Sequence, residues 1–311
     1  MPSLPRRRAP CDKLAMADNR PVSIEGLAAV ADRYDAFIVD LWGVVHNGKQ
    51  PYPGVLDCFA ALKRQGKHTL LLSNAPRRAH AAVSRLAELG VARDLYDDVL
   101  TSGEDTWQAL RTRGQPNAAP FYRDLGRRCF LFGAARDLSL FEQIDVERVA
   151  DIAAADFILC TNLYDYGQTP ADHEATLRAA AARGQPMICA NPDLVVVHGD
   201  ALEYCAGAVA ELYERLGGRV AYHGKPHAPI YGRARAILGG TPPRRVLCIG
   251  DSLRTDIAGA NAARLDSLLV VGGIHLEEFT GPDGRLDPAR VTAACDTAKA
   301  WPTWIGNGFI W

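Results

Sequence analysis

No stretch of this 311-residue chain reaches the roughly 20 consecutive apolar residues that span a bilayer. The opening MPSLPRRRAPCDKLAMADNRP also lacks the apolar run of a secretory signal, so a cytoplasmic location is the expectation. An excess of charge of one sign is missing too. Thirty-five Lys and Arg stand against 36 Asp and Glu, a formal charge of −1, so no bulk field draws nucleic acid or an anionic membrane. An anionic ligand has to be held by local groups. The eight cysteines show no CxxC spacing, and several lie in apolar runs such as FILC and VLCIG. Buried, reduced thiols are therefore expected rather than a zinc or redox centre. What is present is ordinary globular composition, 48% hydrophobic and 23% charged, in a chain about twice the usual single-domain length.

Residues 1–22 are Pro- and Arg-rich without hydrophobic period and read as a disordered extension, in which Met16 is a second candidate start. Beyond them, short apolar runs alternate with helix-period segments, the pattern of βαβ crossovers on a parallel sheet. Runs such as AFIVDLW (36–42), HTLLLS (68–73) and RVLCIG (245–250) have the continuous hydrophobicity of strands buried on both faces. The segment 126–218 repeats the alternation and reads as a smaller α/β domain inserted between 23–125 and 219–311. The end of the chain, KAWPTWIGNGFIW, carries three of the five Trp; exposed, they would be a sticky patch, so they are expected to pack on the core or on a second subunit.

Four segments follow strand ends, where open α/β sheets place their sites. Asp40-Leu41-Trp42-Gly43 ends a buried run with a carboxylate that needs a partner, for which a divalent cation is suited. Ser73-Asn74 offers a hydroxyl and helix N-terminal amides to an anion. His223-Gly224-Lys225-Pro226 places an ammonium, and Gly250-Asp251-Ser252-Leu253-Arg254-Thr255-Asp256 places two carboxylates in one turn. Each is weak alone. Together Asp40, Ser73, Lys225 and Asp251 supply a carboxylate nucleophile, two groups for phosphoryl oxygens and a second carboxylate for a cation.

The set resembles the haloacid dehalogenase (HAD) superfamily, in the branch with a large α/β cap between the second and third motifs. FIVDLWGVVHNG, LLLSNAPR, YHGKPHAPIY and VLCIGDSLRTDIAGA resemble the four motifs, and ICANPDLVV resembles the cap segment that faces the site. The resemblance implies a Rossmann-like parallel-sheet core with an inserted cap, Mg2+ as cofactor and a small phosphorylated metabolite as substrate. It makes Asp40 the nucleophile and a metal ligand, the Trp42 carbonyl and Asp251 further ligands, and Ser252 and Asp256 supports for Asp251. Ser73 and Lys225 would hold the phosphoryl group, with Trp42, Gly43, Asn74, Asn191 and Asp193 contacting substrate. A homodimer through the cap or the Trp-rich tail is a further expectation.

One position departs from the family pattern. Family phosphatases carry an acid–base aspartate two residues after the nucleophile, and here that residue is Trp42, whose indole cannot exchange a proton near neutral pH. Such assistance is worth about 10²–10⁴ in rate. A substrate with a good leaving group such as an acyl phosphate, a stand-in such as His46, or an idle scaffold that binds a phosphorylated ligand or protein partner would each account for it. A dehalogenase rests only on the aromatic residue. Arg77 and Arg78, and Tyr164, Tyr166 and His173 in the inserted segment, are weaker candidates for substrate contact.

Overall fold

The computed structural model describes residues 21–198, 201–272, 276–281 and 286–311, so the extension up to residue 20, with Cys11 and both candidate starts, lies outside the described residues. The strands are β1 (Val22–Ser23), β2 (Ala36–Val39), β3 (His68–Ser73), β4 (Asp98–Thr101), β5 (Arg128–Phe132), β6 (Glu147–Arg148) and β7 (Phe157–Cys160). They continue as β8 (Met187–Cys189), β9 (Val195–His198), β10 (Ala201–Tyr204), β11 (Val220–Tyr222), β12 (Val246–Gly250), β13 (Asp266–Val270) and β14 (Trp304–Gly306). The larger sheet has the order β1-β14-β13-β12-β2-β3-β4 and is parallel throughout. A second parallel sheet, β11-β8-β7-β5-β6, belongs to the inserted segment, and β9 and β10 form a separate antiparallel hairpin.

The apolar runs explain the larger sheet. Phe37, Val39, Leu71, Leu247 and Ile249 enter one core while Ala36, Ile38, Leu70, Leu72, Val246 and Cys248 enter another, as the two-residue period of a strand covered on both faces demands. Helices of matching period cover those faces. In α1 (Val55–Arg64), Val55, Cys58, Phe59 and Leu62 are buried, one face of a 3.6-residue repeat. On the second sheet the helix Ala206–Arg215 buries Ala206, Val209, Ala210 and Tyr213 at the same spacing. The seven described cysteines are buried and form no disulfide. No helix among the described residues is long and apolar enough to cross a membrane.

Several expectations are corrected. Val220–Tyr222, assigned from sequence to the core, pairs with β8 in the second sheet. Val22–Ser23, at the edge of the expected disordered extension, pairs in parallel with Trp304–Ile305. The Trp-rich tail thereby supplies a strand: Trp304 is buried, and its Nε1 donates to Tyr34 Oη at 2.8 Å. Three residues between loops give too short a pattern to be read as a strand in advance. The chain after β12 forms a π-helical turn, Leu253–Ile257, before becoming α-helical over Ala258–Ala262.

Candidate active site

The strand ends of the larger sheet converge on one buried cluster. Asp40 extends β2 by one rung, its N–H donating to the Ile249 carbonyl at 2.9 Å, and this aims the carboxylate at the end of neighbouring β12. Asp251 follows β12 directly. Lys225 arrives from β11, and its Nζ bonds Asp40 Oδ1 at 2.6 Å and Asp256 Oδ1 at 2.7 Å. The π-helical turn brings Asp256 back over Gly250, where any Cβ would lie 2.0 Å from the Asp256 carboxyl carbon. Asp256 thus supports Lys225 and takes the Ser252 N–H at 3.2 Å, whereas Ser252 Oγ caps its own turn by accepting from Thr255 N–H at 3.3 Å. These are the contacts made by the two residues expected from sequence to support Asp251.

Asn74 ties the second motif to the third. Its Oδ1 accepts the Lys225 N–H at 2.8 Å and its Nδ2 donates to the Lys225 carbonyl at 3.0 Å and to Asp193 Oδ1 at 2.8 Å. Ser73 Oγ, buried at the end of β3, accepts from Ala75 N–H at 3.1 Å, which leaves its own proton to donate. Gly43 has φ +85°, and a Cβ there would stand 1.9 Å from Asp251 Oδ2; only glycine lets the loop after Asp40 close over that carboxylate.

One carboxyl oxygen from each of Asp40, Asp251 and Asp256 lies within 4.8 Å of the other two, and among the described residues the ammonium bonded to members of this trio, Asp40 and Asp256, is that of Lys225. Burial pushes the Asp40 carboxyl up to about 7, the pull of Lys225 notwithstanding, with Asp256 adding to the rise. Asp251 is held well above the ordinary carboxyl range by burial and by Asp40 and Asp256. Burial acts against the Lys225 charge, but Asp256 and Asp40 outweigh it and hold the ammonium charged. Three carboxylates against one cation leave a formal excess of two negative charges. An oxygen donor set with that deficit fits a hard divalent cation.

The cluster opens into a cavity of about 710 Å³ lined by Asp40, Trp42, Ser73, Asn74 and Asp251 from the larger sheet's strand ends and the loops beyond them, by Lys225 after β11, and by Tyr164, Tyr166, Asp193 and Tyr204 from the inserted segment. Asn191 also lines it, and its Oδ1 accepts the Asp193 N–H at 3.1 Å. The Trp42 indole is fixed edge-to-face on His46, centroids 5.7 Å apart, and against Gly48. His46, one of the alternatives raised by Trp42, is poorly suited as a stand-in acid. Its Nδ1 accepts the Gly48 N–H at 3.0 Å, and burial, helped by Arg85, lowers it to about 4. Arg77 lines the cavity, but Arg78 is paired with Glu104 at 2.6 Å and packs over Trp107. His173 packs with Phe132 and Tyr164 away from the cavity lining.

Two features were missed in the sequence. Arg254 bridges the sheets' two regions, donating to the Pro192 carbonyl at 2.8 Å and pairing with Glu211 at 2.9 Å; its motif was visible but not its partners. The β9–β10 hairpin, carrying Tyr204, was not recognised, although the sequence VVVHGDALEY has two β-rich runs separated by a Gly-Asp pair.

Two family models match the chain. One described as haloacid dehalogenase-like hydrolase matches residues 37–147, and a second, HAD-hydrolase-like, matches 222–297. The crystal structure of a haloacid dehalogenase-like hydrolase from Brucella suis 1330 is 35% identical, superposes with a TM-score of 0.77, and the match covers 92% of this chain and all of that one. The chain belongs to the haloacid dehalogenase-like hydrolases. Within the family it is 27% identical to a D-glycerol 3-phosphate phosphatase of Mycobacterium tuberculosis over 80% of this chain. That match spans only 66% of the relative's length. It is 26% identical to a ribonucleotide monophosphatase of Escherichia coli K12 over 76% of this chain and 87% of that protein. A solved structure of the mycobacterial glycerol phosphate phosphatase is a complex with magnesium; it is 25% identical, with a TM-score of 0.63, over 90% of this chain and 77% of that one.

Proposed function

We propose that this HAD-like hydrolase is a Mg2+-dependent phosphatase of a small phosphorylated molecule, working through an aspartyl phosphate at Asp40. The observation that carries the reading is the buried Asp40–Lys225–Asp256 ion-pair chain, with Asp251 beside it, at the floor of a cavity that also receives the Ser73 hydroxyl. The named relatives, phosphatases of glycerol phosphate and of ribonucleotides, support the reaction class. Asp40, Asp251 and the Trp42 carbonyl would hold Mg2+, which supplies charge neutralisation to the phosphoryl oxygens when bound.

The chain's own groups do the rest. Lys225, held charged by its two carboxylates, orients Asp40 and neutralises the phosphoryl group as it approaches. Ser73 Oγ donates to a phosphoryl oxygen, and Asn74 fixes the loop that carries it. Asp40 attacks phosphorus, the ester oxygen departs, and water then releases phosphate from Asp40. The wild-type chain is expected to release phosphate from alkyl, aryl or acyl phosphates with Mg2+, and Asp40→Asn to lose at least about 10³-fold in rate. Turnover that survives in Asp40→Asn, or that needs no metal, refutes the mechanism.

The second reading, an idle scaffold that binds a phosphorylated ligand, is favoured by Trp42 alone. Trp42→Asp separates the two: a gain in alkyl phosphate hydrolysis fits an intact but unassisted site, and continued silence in both proteins fits the binder.

A further inference from the structure

An alkyl leaving oxygen needs a proton as it departs, and the indole at position 42 has none to give. In an in-line displacement the leaving oxygen lies across phosphorus from the attacking Asp40 oxygen, so a donor has to reach in from the wall opposite the strand that carries Asp40. His46 is not that donor, since its buried ring is neutral and its Nδ1 is occupied by the Gly48 N–H. Asp256 is committed to Lys225, and Asp251 to the candidate cation.

Three further carboxyls line the cavity, Asp165, Glu203 and Asp193, and the one bonded to the loop after β3 is Asp193. Asp193 projects from the loop between β8 and the hairpin, and its Oδ1 accepts from Asn74 Nδ2 at 2.8 Å. The loop is held from both sides: the Asp193 N–H bonds Asn191, and Arg254 from the turn after β12 donates to the Pro192 carbonyl. These contacts seat a carboxyl of the inserted segment against the motif residues of the core. The groups around it come from every neighbouring element: Asn74 after β3, Lys225 after β11, Asp256 and Arg254 after β12, and Asp40 after β2, whose acidity Asp193 lowers.

We propose, resting on the phosphatase reading above, that Asp193 supplies the acid–base function that position 42 lacks. As an Asp40 oxygen bonds to phosphorus, the bond from phosphorus to the leaving oxygen breaks with its electron pair on that oxygen, and the Asp193 proton converts it to the alcohol. The ionised Asp193 then takes a proton from the water that attacks the aspartyl phosphate. The bond from phosphorus to Asp40 breaks, its electron pair returns to the Asp40 carboxylate, phosphate departs, and Asp193 is again protonated. Burial lifts the Asp193 carboxyl above its ordinary range, against the pull of Lys225 and of the Asn74 hydrogen bond, so the protonated form persists at higher pH than in an exposed carboxyl.

The test compares kcat/KM of the full chain with Mg2+ on glycerol phosphate, a poor leaving group, and p-nitrophenyl phosphate, a good one. In Asp193→Asn the alkyl ester is expected to lose about 10²–10⁴-fold and the aryl ester about tenfold or less. The aryl ester is also expected to release a burst of nitrophenol equal to the enzyme, because the aspartyl phosphate now opens slowly. An equal fall on both esters, or a rise in KM with kcat unchanged, overturns the assignment. The wild-type protein gives a test that no folding defect can spoil: kcat/KM should decline at high pH for the alkyl ester and not for the aryl ester, and coincident profiles overturn it. The phosphatase reading fails separately, by a wild-type chain that leaves both esters intact.

Discussion

The two walls of the cavity are built on different principles. The core wall is a set of strand ends whose functional charges are nearly sealed from water, Asp40 at 9% exposure, Lys225 at 3% and Asp256 at 4%, each fixed by short ion pairs. On the other wall, Tyr166 is 56% exposed and Tyr204 43%, the latter on a hairpin whose two strands pair only with each other among the described residues. Phosphoryl chemistry needs preorganised charge at low dielectric, which only burial and pairing provide. Substrate choice needs a surface that can differ without disturbing that charge, and a hairpin off the sheets supplies one. Asp193 and Arg254 are where the two walls meet.

Three experiments can break or sharpen this contrast. The largest effect belongs to Lys225→Met, which leaves Asp40 and Asp256 buried without their cation; a stability loss of about 3–5 kcal/mol is expected from urea unfolding, together with a rate loss on the order of 10² or more. A variant as stable as wild type would mean that the core wall is not held by its charges. Next comes the coupling of cation and protons. Between the ordinary carboxyl value of 3.8 and about 7, the folded chain keeps a proton on Asp40 that the unfolded chain has lost, so stability contributed by that proton is full below the lower value and is lost as pH rises through the upper one. A divalent cation must displace such protons, so the gain in Tm on adding Mg2+ is expected to be larger at about pH 8 than at about pH 5.5. An equal gain at both values would place the cation elsewhere. The smallest effect is that of Tyr204→Ala, with stability within about 0.5 kcal/mol of wild type and a change in KM rather than kcat. A collapse of kcat in that variant would erase the distinction between the walls.

The core wall was largely legible in the sequence because its signals are local. A strand covered on both faces writes itself as an apolar run, and a carboxylate or ammonium at the end of such a run, as at Asp40, Asp251 and Lys225, stands out against the burial that precedes it. Glycine at 43 was visible as part of a motif, yet the collision with Asp251 that makes it necessary involves a residue more than 200 positions away. The cap wall was less legible. Tyr166 and Tyr204 lie on exposed segments without the periodicity that marks a buried element, and the hairpin went unread.

Sequence by itself determined the alternation of strands and helices, the parallel α/β class and the order of the four motif segments, since each depends on hydrophobic period and chain neighbours. Tertiary structure alone decided that Val220–Tyr222 joins the second sheet, that Trp304 completes the first, that Asp256 belongs to Lys225 and that His46 is neutral. Sheet partners are chosen by hydrogen bonds between strands far apart in the chain, and acidity is set by the water and charges that folding removes or brings near. Neither quantity is carried by any single stretch of residues.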